Sequence, residues 1–461
     1  MALTKIKGEG IDGGTISTKT AGTGNLILGS TAGDSIASGG DDNTCIGTNA
    51  GTAITTGDRN TLVGATAGDE IVGAERNTAV GYGALHTETE GDRNTAVGVF
   101  ALSTQNTSGG GNVYNTGVGY GAGNAVTTGD SNTLIGAEAG DALTEGKNNV
   151  VVGKGALGSD TKGKECVAIG NGALFQQNLT SLTSVFNVGI GSSAGENIST
   201  GYQNTFVGGL AGHYSTTAQQ NVAVGYKALY GSGFVTGEGN VAIGDRAMED
   251  PNGACHANTA VGQLAGTNIN TGDYNVCVGK SAGSSLTTGG NNIMIGKDAG
   301  TSSSPAGNQT TGNGSICLGD DNISDLYCAD TSISSSDSRD KTDITDFNIG
   351  LNWINDLRPV TYKWDKRSWY GTEEEPYGTP DGSKKKSKVN LGFVAQEVLK
   401  TEKANGFADS ADTMLTCNIT EDGQRYGMKY ERLVPILVNA IKELSAKNDA
   451  LEARIKKLED G

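Results

Sequence analysis

The sequence is poor in proline and in large side chains, and these shortages exclude several classes of protein. Only 6 of the 461 residues are proline, and aromatic residues make up 5% of the chain. Although glycine occurs 73 times, the lack of proline and of a Gly-x-y period excludes a collagen-like chain. So few large side chains also argue against a conventional thick core, although the length would suit about three ordinary domains.

Long apolar runs and cysteine clusters are missing as well. No apolar segment approaches the roughly 18 residues that a bilayer-crossing helix needs, so no membrane span is expected. The first residues contain no apolar core of a signal peptide. The seven cysteines are scattered, without a Cys-x-x-Cys pair or a histidine-flanked group. This usage favours a reducing compartment over a disulfide scaffold or a zinc site.

Charge and glycine divide the chain into two regions. Residues 336–461 hold 20 Lys and Arg against 22 Asp and Glu, which leaves 14 against 29, a net charge of −15, for residues 1–335. Glycine divides in the same way, with 64 residues in the first region and 9 in the second. Because phosphate binding needs a basic face, the acidic first region makes nucleic acid an unsuitable partner. The serine-rich stretch 331–335 is predicted to be a linker between the regions.

The first region is a repeat array in which the unit Asn-Thr-x-Val/Ile-Gly recurs. Ten of the 16 spacings between its closing glycines are 17 residues, and longer spacings mark insertions at 104–113 and 176–186. Each unit alternates small polar with β-branched residues before its glycine, which is typical of a short strand with one buried face. One unit buries too little apolar area to fold alone, so stacked units must share strand hydrogen bonds. The closing glycines are at positions 29, 47, 64, 81, 98, 119, 136, 153, 170, 191, 208, 225, 244, 262, 279, 296 and 319.

The repeat predicts a mainly β fold, with an elongated glycine-rich β-solenoid or β-roll over residues 21–330. Each closing glycine would permit a corner with positive φ or a close approach of two backbones. Two features stay open at this point. The strands could coil within one chain or interlock between three chains, and the Ala-Gly/Leu segment after each glycine could form a single helical turn. Residues 1–20 would attach the protein to a larger particle.

The array offers few candidates for chemistry. Asp58, Asp130 and Asp273 follow Thr-Gly and could bind calcium, but the nonapeptide pattern of calcium-binding β-rolls is absent, so turn capping is the preferred interpretation. The three histidines stand singly, and no nucleotide-binding fingerprint rises above what frequent glycine produces by chance. We therefore expect neither a metal nor a cofactor.

Residues 336–461 carry four motifs in order, and together they resemble a known family. The motifs are Ser336-Asp-Ser-Arg339-Asp-Lys341-x-x-Ile344, Leu351-x-x-Ile-x-x-Leu-x-Pro359-Val-x-Tyr362-x-Trp364, Gly392-Phe-Val-Ala-Gln396-Glu397-Val398 and Tyr430-x-x-Leu433-Val-Pro435-Ile-Leu-Val-x-Ala440-Ile-x-Glu443-Leu444. This region resembles the intramolecular chaperone domain of phage tailspikes and fibres, the endosialidase-type or S74 peptidase family. The resemblance implies a small α+β domain that drives trimerisation and then cleaves itself off.

The resemblance also assigns a catalytic pair. It implies that Ser336 and Lys341 form a Ser-Lys dyad that cuts the chain between Ser335 and Ser336. A serine hydroxyl attacks a carbonyl only when a base takes its proton, and a lysine of lowered pKa can do so. A spacing of five residues does not place both side chains on one helical face, so a loop or a chain–chain contact would have to assemble the pair. Arg339 is expected to position the segment.

The last residues, 430–460, predict a helix with a coiled-coil seam. Four unbroken heptads with apolar a and d positions are a strong signal. β-Branched a positions, leucine at d and one asparagine at an a position favour a parallel dimer, whereas the resemblance implies a trimer, which we prefer. The a positions are Val434, Ile441, Asn448 and Ile455, and the d positions are Leu437, Leu444, Leu451 and Leu458.

Together these observations predict a homotrimeric phage tail fibre or related virion appendage, assembled in the host cytoplasm. Its partners would be virion tail or adaptor proteins and a host surface receptor or glycan. Two alternatives remain at this stage. A trimeric surface adhesin has loosely similar head repeats, and a tailspike that degrades polysaccharide would need a wide groove lined with aromatic residues.

Overall fold

The computed structural model describes residues 16–17, 20–323, 338–372, 375–420 and 423–461. The chain divides into two compact units. The repeat unit comprises Met1–Ile295 and Asn313–Ser315, and the C-terminal unit comprises Gly296–Gly312 and Ile316–Gly461. The linker 331–335 and nearly all of the expected attachment segment 1–20 lie outside the described residues.

The repeat unit is built from very short strands, one or two for each repeat. The strands are β1 (Ile16–Ser17), β2 (Leu26–Leu28), β3 (Thr44–Ile46), β4 (Thr61–Val63), β5 (Thr78–Val80), β6 (Gly91–Asp92), β7 (Thr95–Val97), β8 (Gly111–Asn112), β9 (Thr116–Val118), β10 (Thr133–Ile135), β11 (Val150–Val152), β12 (Gly163–Lys164), β13 (Val167–Ile169), β14 (Thr183–Ser184), β15 (Val188–Ile190), β16 (Thr205–Val207), β17 (Val222–Val224), β18 (Val241–Ile243), β19 (Thr259–Val261), β20 (Val276–Val278) and β21 (Ile293–Ile295).

The three-residue strands from β2 to β21 form one sheet of stacked layers. Each pairs in parallel and in register with the three-residue strand of the next repeat, as Thr61 does with Thr78 and Val63 with Val80. The same pairing continues through the whole series. The predicted β-solenoid is therefore confirmed, and every one of these pairings joins two strands of the same chain.

The strands bury the opposite residues from those that hydrophobicity alone would place in the core. In each strand the middle residue is buried, whereas the two β-branched residues beside it are only partly covered, as in Thr78–Val80. The buried positions hold mostly small residues such as Ala79 and Ala96, with an occasional larger one such as Phe206. Because the layers close tightly around small side chains, the core is thin, as the composition required.

The closing glycines have the backbone conformation that the sequence predicted. Gly64, Gly81 and Gly136 have φ of +141°, +138° and +133°, a region that other residues rarely adopt. A Cβ at Gly64 would lie 2.4 Å from the carbonyl oxygen of Gly81 in the next layer. Glycine is therefore required twice over, by its torsion angle and by the close approach of neighbouring layers.

The Ala-Gly/Leu segment after each glycine forms turns rather than a helix. Hydrogen bonds that span three residues close these turns, such as Ala50 N–H to the Gly47 carbonyl at 3.3 Å and Ile54 N–H to the Gly51 carbonyl at 3.2 Å. The alanine is fully buried in layer after layer, as at Ala50 and Ala67. Further backbone bonds join each turn to the turn of the next layer, including Gly51 N–H to the Ala67 carbonyl at 3.0 Å.

The asparagine of each repeat forms a buried ladder through the solenoid. The Oδ1 atom of Asn43 accepts hydrogen bonds from the backbone N–H of Asn60 at 2.9 Å and from its Nδ2 at 3.0 Å. Nδ2 of Asn60 also donates to the Ala74 carbonyl at 2.8 Å. Stacked amides of this kind satisfy polar groups that would otherwise be costly to bury. The buried members are Asn43, Asn60, Asn77, Asn94, Asn115, Asn132, Asn149, Asn187, Asn204, Asn221, Asn240, Asn258, Asn275 and Asn292.

The two insertions add short pairings beside the main sheet. Strand β6 pairs in parallel with β8, and β12 pairs in parallel with β14. β8 is exposed at both of its residues. The insertions predicted at 104–113 and 176–186 therefore extend single layers and leave the stacking of the main strands unchanged.

The C-terminal unit is a small α+β structure that ends in a long helix, as predicted. Strand β23 (Val360–Tyr362) pairs with β24 (Asn390–Gly392), and β25 (Cys417–Ile419) pairs with β26 (Tyr426–Met428), both antiparallel. No helix in the described part of the chain combines the length and the apolar character that crossing a bilayer requires. The elements are β22 (Ile316–Leu318), α1 (Leu351–Asp356), β23 (Val360–Tyr362), β24 (Asn390–Gly392), α2 (Ala395–Ala404), β25 (Cys417–Ile419), β26 (Tyr426–Met428) and α3 (Leu433–Glu459), with 3-10 turns at Ser338–Asp340, Arg367–Tyr370, Ala411–Thr413 and Tyr430–Arg432.

One tryptophan forms the centre of this unit. Trp353 of α1 is fully buried against Leu433 and Ile436 of α3, and partly buried residues including Phe347 and Phe407 pack around them. Helix α1 approaches α3 closely at Gly350, where a Cβ would lie 2.4 Å from the Ala440 backbone nitrogen. The unit thus depends on a few large contacts, whereas the repeat unit depends on many small ones.

Candidate functional site

The expected catalytic pair is only partly described. Ser335 and Ser336 lie outside the described residues, so their distance to Lys341 is not defined. Lys341 itself is exposed and directly follows the 3-10 turn Ser338–Asp340. Its backbone N–H contacts the Ser338 carbonyl at 3.4 Å. Arg339 of the same turn is also exposed. The Ser336–Lys341 dyad and the cut before Ser336 therefore stay predictions.

The residues of the later motifs build the fold of the C-terminal unit. Arg358 forms an ion pair with Glu397 of α2, with Nε of Arg358 3.1 Å from Oε2 of Glu397. The Tyr430 hydroxyl accepts a hydrogen bond from the Phe393 N–H at 3.2 Å. Glu443 of α3 accepts a bond from the Leu351 N–H at 3.1 Å. Motifs far apart in the sequence thus meet pairwise, so these residues stabilise the fold of the unit.

The most concentrated polar site of the C-terminal unit surrounds Asp321. Its side chain is only 3% exposed. Arg425 of β25–β26 reaches both carboxylate oxygens of Asp321, at 2.7 and 2.8 Å. Lys366 Nζ lies 3.3 Å from the same carboxylate and 2.9 Å from the Asp321 carbonyl, and the Ser368 hydroxyl donates to it as well. A bidentate, charge-assisted pair of this kind is among the strongest polar contacts in proteins.

The electrostatics of this cluster favour the charged pair. Burial alone would raise the pKa of Asp321, but hydrogen bonds from Arg425 and Ser368 and the charges of Arg425 and Lys366 hold it below its ordinary value of 3.8. For Arg425, burial works against the charged form, and the hydrogen bonds to Asp321 and Tyr377 raise its pKa nonetheless. Arg425 also donates to the Ser302 carbonyl. The cluster thus ties residues 302 and 321, upstream of the expected cut, to residues downstream of it.

The lysine run at 384–388 is more structured than a solvated loop would be. The side chain of Lys384 donates to the Trp369 carbonyl and lies 5.1 Å from the centre of the Tyr370 ring. Lys386 lies 4.9 Å from the centre of the Trp369 ring. These cation–π contacts attach the loop to the 3-10 turn at Arg367–Tyr370. The lysines are exposed, so the segment is a surface loop that packs on aromatic rings.

The aspartates that follow Thr-Gly in the array contact neighbouring layers of the solenoid. Asp58 accepts a hydrogen bond from the Asp41 N–H of the preceding layer at 2.7 Å, and Asp273 accepts one from the His256 N–H at 2.7 Å. Asp130 pairs with Lys147 of the following layer. Capping of a neighbouring layer is the role that the structure gives them. Within the described residues, no group of three or more His, Cys, Asp or Glu is placed to hold a metal ion.

Two fully buried carboxylates were missed in the sequence. Glu88 accepts hydrogen bonds from the Gly91 N–H at 2.7 Å and from Gln105 Nε2 at 2.8 Å. Asp160 accepts one from the Gly163 N–H at 3.0 Å and one from Gln177 Nε2 at 2.5 Å. Each carboxylate–glutamine pair takes a place that isoleucine or leucine fills in other layers, such as Ile71. These groups are saturated by their neighbours, so they stabilise the layers at the insertions and are not catalytic candidates.

The cysteines of the described chain are free and buried. Burial raises the pKa of the Cys45 and Cys277 thiols to about 12. Cys166 takes the place of an asparagine in the ladder, and its N–H donates to Asn149 Oδ1 at 3.0 Å. Its thiol also has a pKa of about 12, chiefly through burial. These thiols are inert core groups rather than nucleophiles.

Comparisons with known proteins identify the C-terminal segment. Residues 336–406 match the family model described as the chaperone of endosialidase, Peptidase_S74. The matched segment begins at the expected nucleophile, Ser336, and includes α1, β23, β24 and α2. Comparison with curated proteins and with solved structures gave no match. The chain thus combines a β-solenoid with a segment that is similar to this family over residues 336–406.

Proposed function

We propose that this protein is a homotrimeric virion appendage, a phage tail fibre or tailspike, whose C-terminal region acts as a chaperone for its assembly. The family match at 336–406 supports the chaperone and, with the β-solenoid, the tail-fibre assignment. The observation that carries trimerisation is the surface of α3. Its a and d residues are uncovered in the single chain, with Ile441 66%, Leu444 57% and Leu458 76% exposed.

An uncovered apolar stripe of this length calls for partner helices. Residues Leu433, Ile436 and Ala440 face the core of their own unit, and the a/d stripe runs on a different side of the helix. Leucine at d with β-branched residues at a is the pattern by which parallel helices associate. A parallel sheet exposes its edges while it forms, so a domain that brings three chains together early would protect the array during assembly.

We further propose that the chaperone is released by a single-turnover cleavage. Lys341 takes the proton of the Ser336 hydroxyl, and Oγ attacks the carbonyl carbon of Ser335. The C–N bond between the two residues breaks, and the leaving nitrogen takes the proton, so the product is an ester with a free amine on Ser336. Water then hydrolyses the ester and restores the hydroxyl. A lysine can act as the base only if assembly lowers its pKa, which would couple the cut to correct trimer formation.

The test is intact and native mass of the purified full-length protein beside Ser336→Ala and Lys341→Met. Wild type is expected to give fragments 1–335 and 336–461, with the first in a trimeric species, while both variants stay whole. Ser338→Ala, two residues away and exposed, is the matched control and should cleave like wild type. An uncleaved trimer of three 46.9 kDa chains would remove the protease and leave the chaperone. A whole wild-type monomer would contradict both.

Host attachment is the remaining part of the proposal, and the insertion loops support it. The second loop carries an exposed apolar side chain outside the repeating surface, Leu182 at 42%. We expect the purified protein to compete with the virus for adsorption to its host cells. Deletion of residues 178–184 should weaken this competition, while Asn171→Ala, a change at an exposed residue outside the insertion loops, should not. Equal competition by both proteins would assign binding to another surface.

A further inference from the structure

One face of the solenoid is built from two rows of partly exposed side chains, which we call the outward face. It consists of the first and third residues of the sixteen three-residue strands from β2 to β21. The first row is Leu26, Thr44, Thr61, Thr78, Thr95, Thr116, Thr133, Val150, Val167, Val188, Thr205, Val222, Val241, Thr259, Val276 and Ile293. The third-position row is Leu28, Ile46, Val63, Val80, Val97, Val118, Ile135, Val152, Ile169, Ile190, Val207, Val224, Ile243, Val261, Val278 and Ile295.

The composition of the outward face does not suit contact with water. The third-position row contains only Val, Ile and Leu, and the first row adds only Thr. Several of these side chains are well exposed, including Ile135 at 38%, Ile190 at 36% and Ile243 at 38%. A sheet face turned to solvent normally carries polar residues. Contiguous apolar patches beyond a few hundred Å² are rare on monomers and mark interaction sites.

The face is large enough for a stable interface. Fifteen successive strand pairings at about 4.8 Å each give a length of about 70 Å, and three residues at about 3.3 Å give a width of about 10 Å. The resulting strip of about 700 Å² per copy is close to the roughly 800 Å² that each partner of a stable complex buries.

Charge decides which partner fits. The first 335 residues carry 14 basic against 29 acidic side chains, yet the outward face carries no charge at any position. Two copies of so acidic a chain repel each other everywhere except across a neutral face. A second copy also has the same layer spacing, so its rows match these rows along their whole length. A partner of unrelated fold would match them only locally.

We propose that copies of this chain pack side by side through the outward face, so that the solenoids associate along their length. This inference rests on the proposed function, because the copies are those that the C-terminal unit brings together. It goes beyond that function in assigning a second, independent interface to the repeat unit. After removal of the C-terminal domain, the outward face would keep the solenoids associated.

The test separates the two interfaces with a specific protease site placed within 324–335, in protein that carries Ser336→Ala and therefore stays whole until the protease is added. Wild type in this test means the chain with only this background change. Full-length wild type, assembled first, is cut there. Because Arg425 binds Asp321 across the cut, the C-terminal piece is then removed through an affinity tag in mild urea. The mass of the remaining 1–323 piece is measured by sedimentation and native mass spectrometry. We expect this piece to keep the stoichiometry of the uncut protein. The variant with Ile135→Glu, Ile190→Glu and Ile243→Glu should match wild type before the cut and fall to a monomer after it, because it places charge in an apolar seam.

The matched control adds the same charge elsewhere. Asn171→Glu, Ser192→Glu and Gln263→Glu change exposed residues off the outward face, and this control should stay associated after the cut. A wild-type piece that falls to a monomer, or a variant piece that stays associated, would overturn the proposal. Uncut wild type that is already monomeric would instead contradict the trimer of the proposed function, so the two failures are distinguishable.

A second measurement tests the proposal even if the triple glutamate variant does not fold. Ile190→Cys places one reactive thiol on the outward face, where a short bismaleimide should link two copies of the full-length protein. The described native cysteines are buried and should not compete. Ser192→Cys, two residues away and exposed on another side, should give at least tenfold less of the linked dimer. Equal linking by both would place the contact elsewhere and overturn the proposal.

Discussion

The two units of this protein obtain stability in opposite ways. In the repeat unit, each layer contributes the same small set of contacts, comprising a buried alanine, a ladder asparagine and a glycine that touches the next layer. In the C-terminal unit, Trp353 and the Asp321–Arg425 pair hold together elements far apart in the sequence. The comparison teaches that a glycine-rich chain with few aromatic residues can be well ordered, provided that every layer repeats the same complementarity.

The largest effect is expected from breaking the ion pair of the C-terminal unit. Arg425→Met leaves the Asp321 carboxylate buried with only Lys366 and Ser368, and removal of one partner of a buried pair typically costs about 4 kcal/mol. All three tryptophans lie in this unit, so unfolding followed by tryptophan fluorescence reports on it selectively. Lys400→Met, an exposed lysine of α2, is the control. An unchanged fluorescence midpoint for Arg425→Met would show that the pair is not a principal contact.

A single methyl group should have nearly as large an effect in the repeat unit. Gly136→Ala forces alanine to φ +133° and places its Cβ 2.6 Å from the Gly153 carbonyl oxygen. Strain and overpacking together should cost about 3 kcal/mol. Circular dichroism of the β signal on heating measures it. Gly109→Ala meets no atom within 4 Å and should leave the midpoint unchanged. Equal midpoints for both variants would mean that the layers can separate to admit a methyl group.

Removal of one rung of the ladder should have a smaller effect. Asn204→Ala deprives Oδ1 of Asn187 of a donor at 3.2 Å and the Ala218 carbonyl of one at 2.8 Å. Unsatisfied buried groups of this kind cost about 2 kcal/mol. The β signal on heating again provides the measurement, with the exposed Asn171→Ala as control. Two equally stable variants would indicate that the ladder contributes register and not stability.

The smallest effect concerns pH and separates the units by their charges. The pKa of Asp321 lies below its ordinary value of 3.8 in the folded protein. Its contribution is therefore complete above that value and is lost as the pH falls through the lowered folded pKa. We expect the stability difference between wild type and Asp321→Asn, followed by tryptophan fluorescence, to be constant down to about pH 5 and to shrink below pH 4. A difference that grows on acidification would contradict the assigned direction.

The sequence predicted the architecture well because the architecture repeats. Seventeen closing glycines and their spacing define the layers, and the φ of Gly81 confirms the reason for them. The direction of the side chains was not predictable in the same way. Alternation places Val80 and Ala79 on opposite sides, but hydrophobicity alone assigns valine to the core, and only the tight closure of the layer reverses this.

Other parts escaped prediction for different physical reasons. The ladder depends on asparagines one repeat apart meeting in space, which a pattern in one unit does not reveal. Arg59 adopts φ +60°, a conformation that sequence reasoning reserves for glycine, because its layer fixes the backbone there. Asp321 and Arg425 are 104 residues apart, and no local rule connects them. Within the expected dyad, only Lys341 belongs to the described residues, so the chemistry stays a prediction.

The carboxylate–glutamine pairs Glu88–Gln105 and Asp160–Gln177 make two positions in an otherwise uniform stack of layers different from the rest. In a chain of near-identical layers, a repeat could pair with the wrong neighbour, one repeat further along, and still align its strand, turn and asparagine with equivalent elements. Such a slip would bring Glu88 against Val126, or Asp160 against Ile198, which are the buried aliphatic side chains one repeat beyond the native glutamine. An unpartnered buried carboxylate is costly. A chain whose layers are paired out of register would therefore be less stable at these two layers. The two carboxylate–glutamine pairs thus favour the native register over one shifted by a whole repeat.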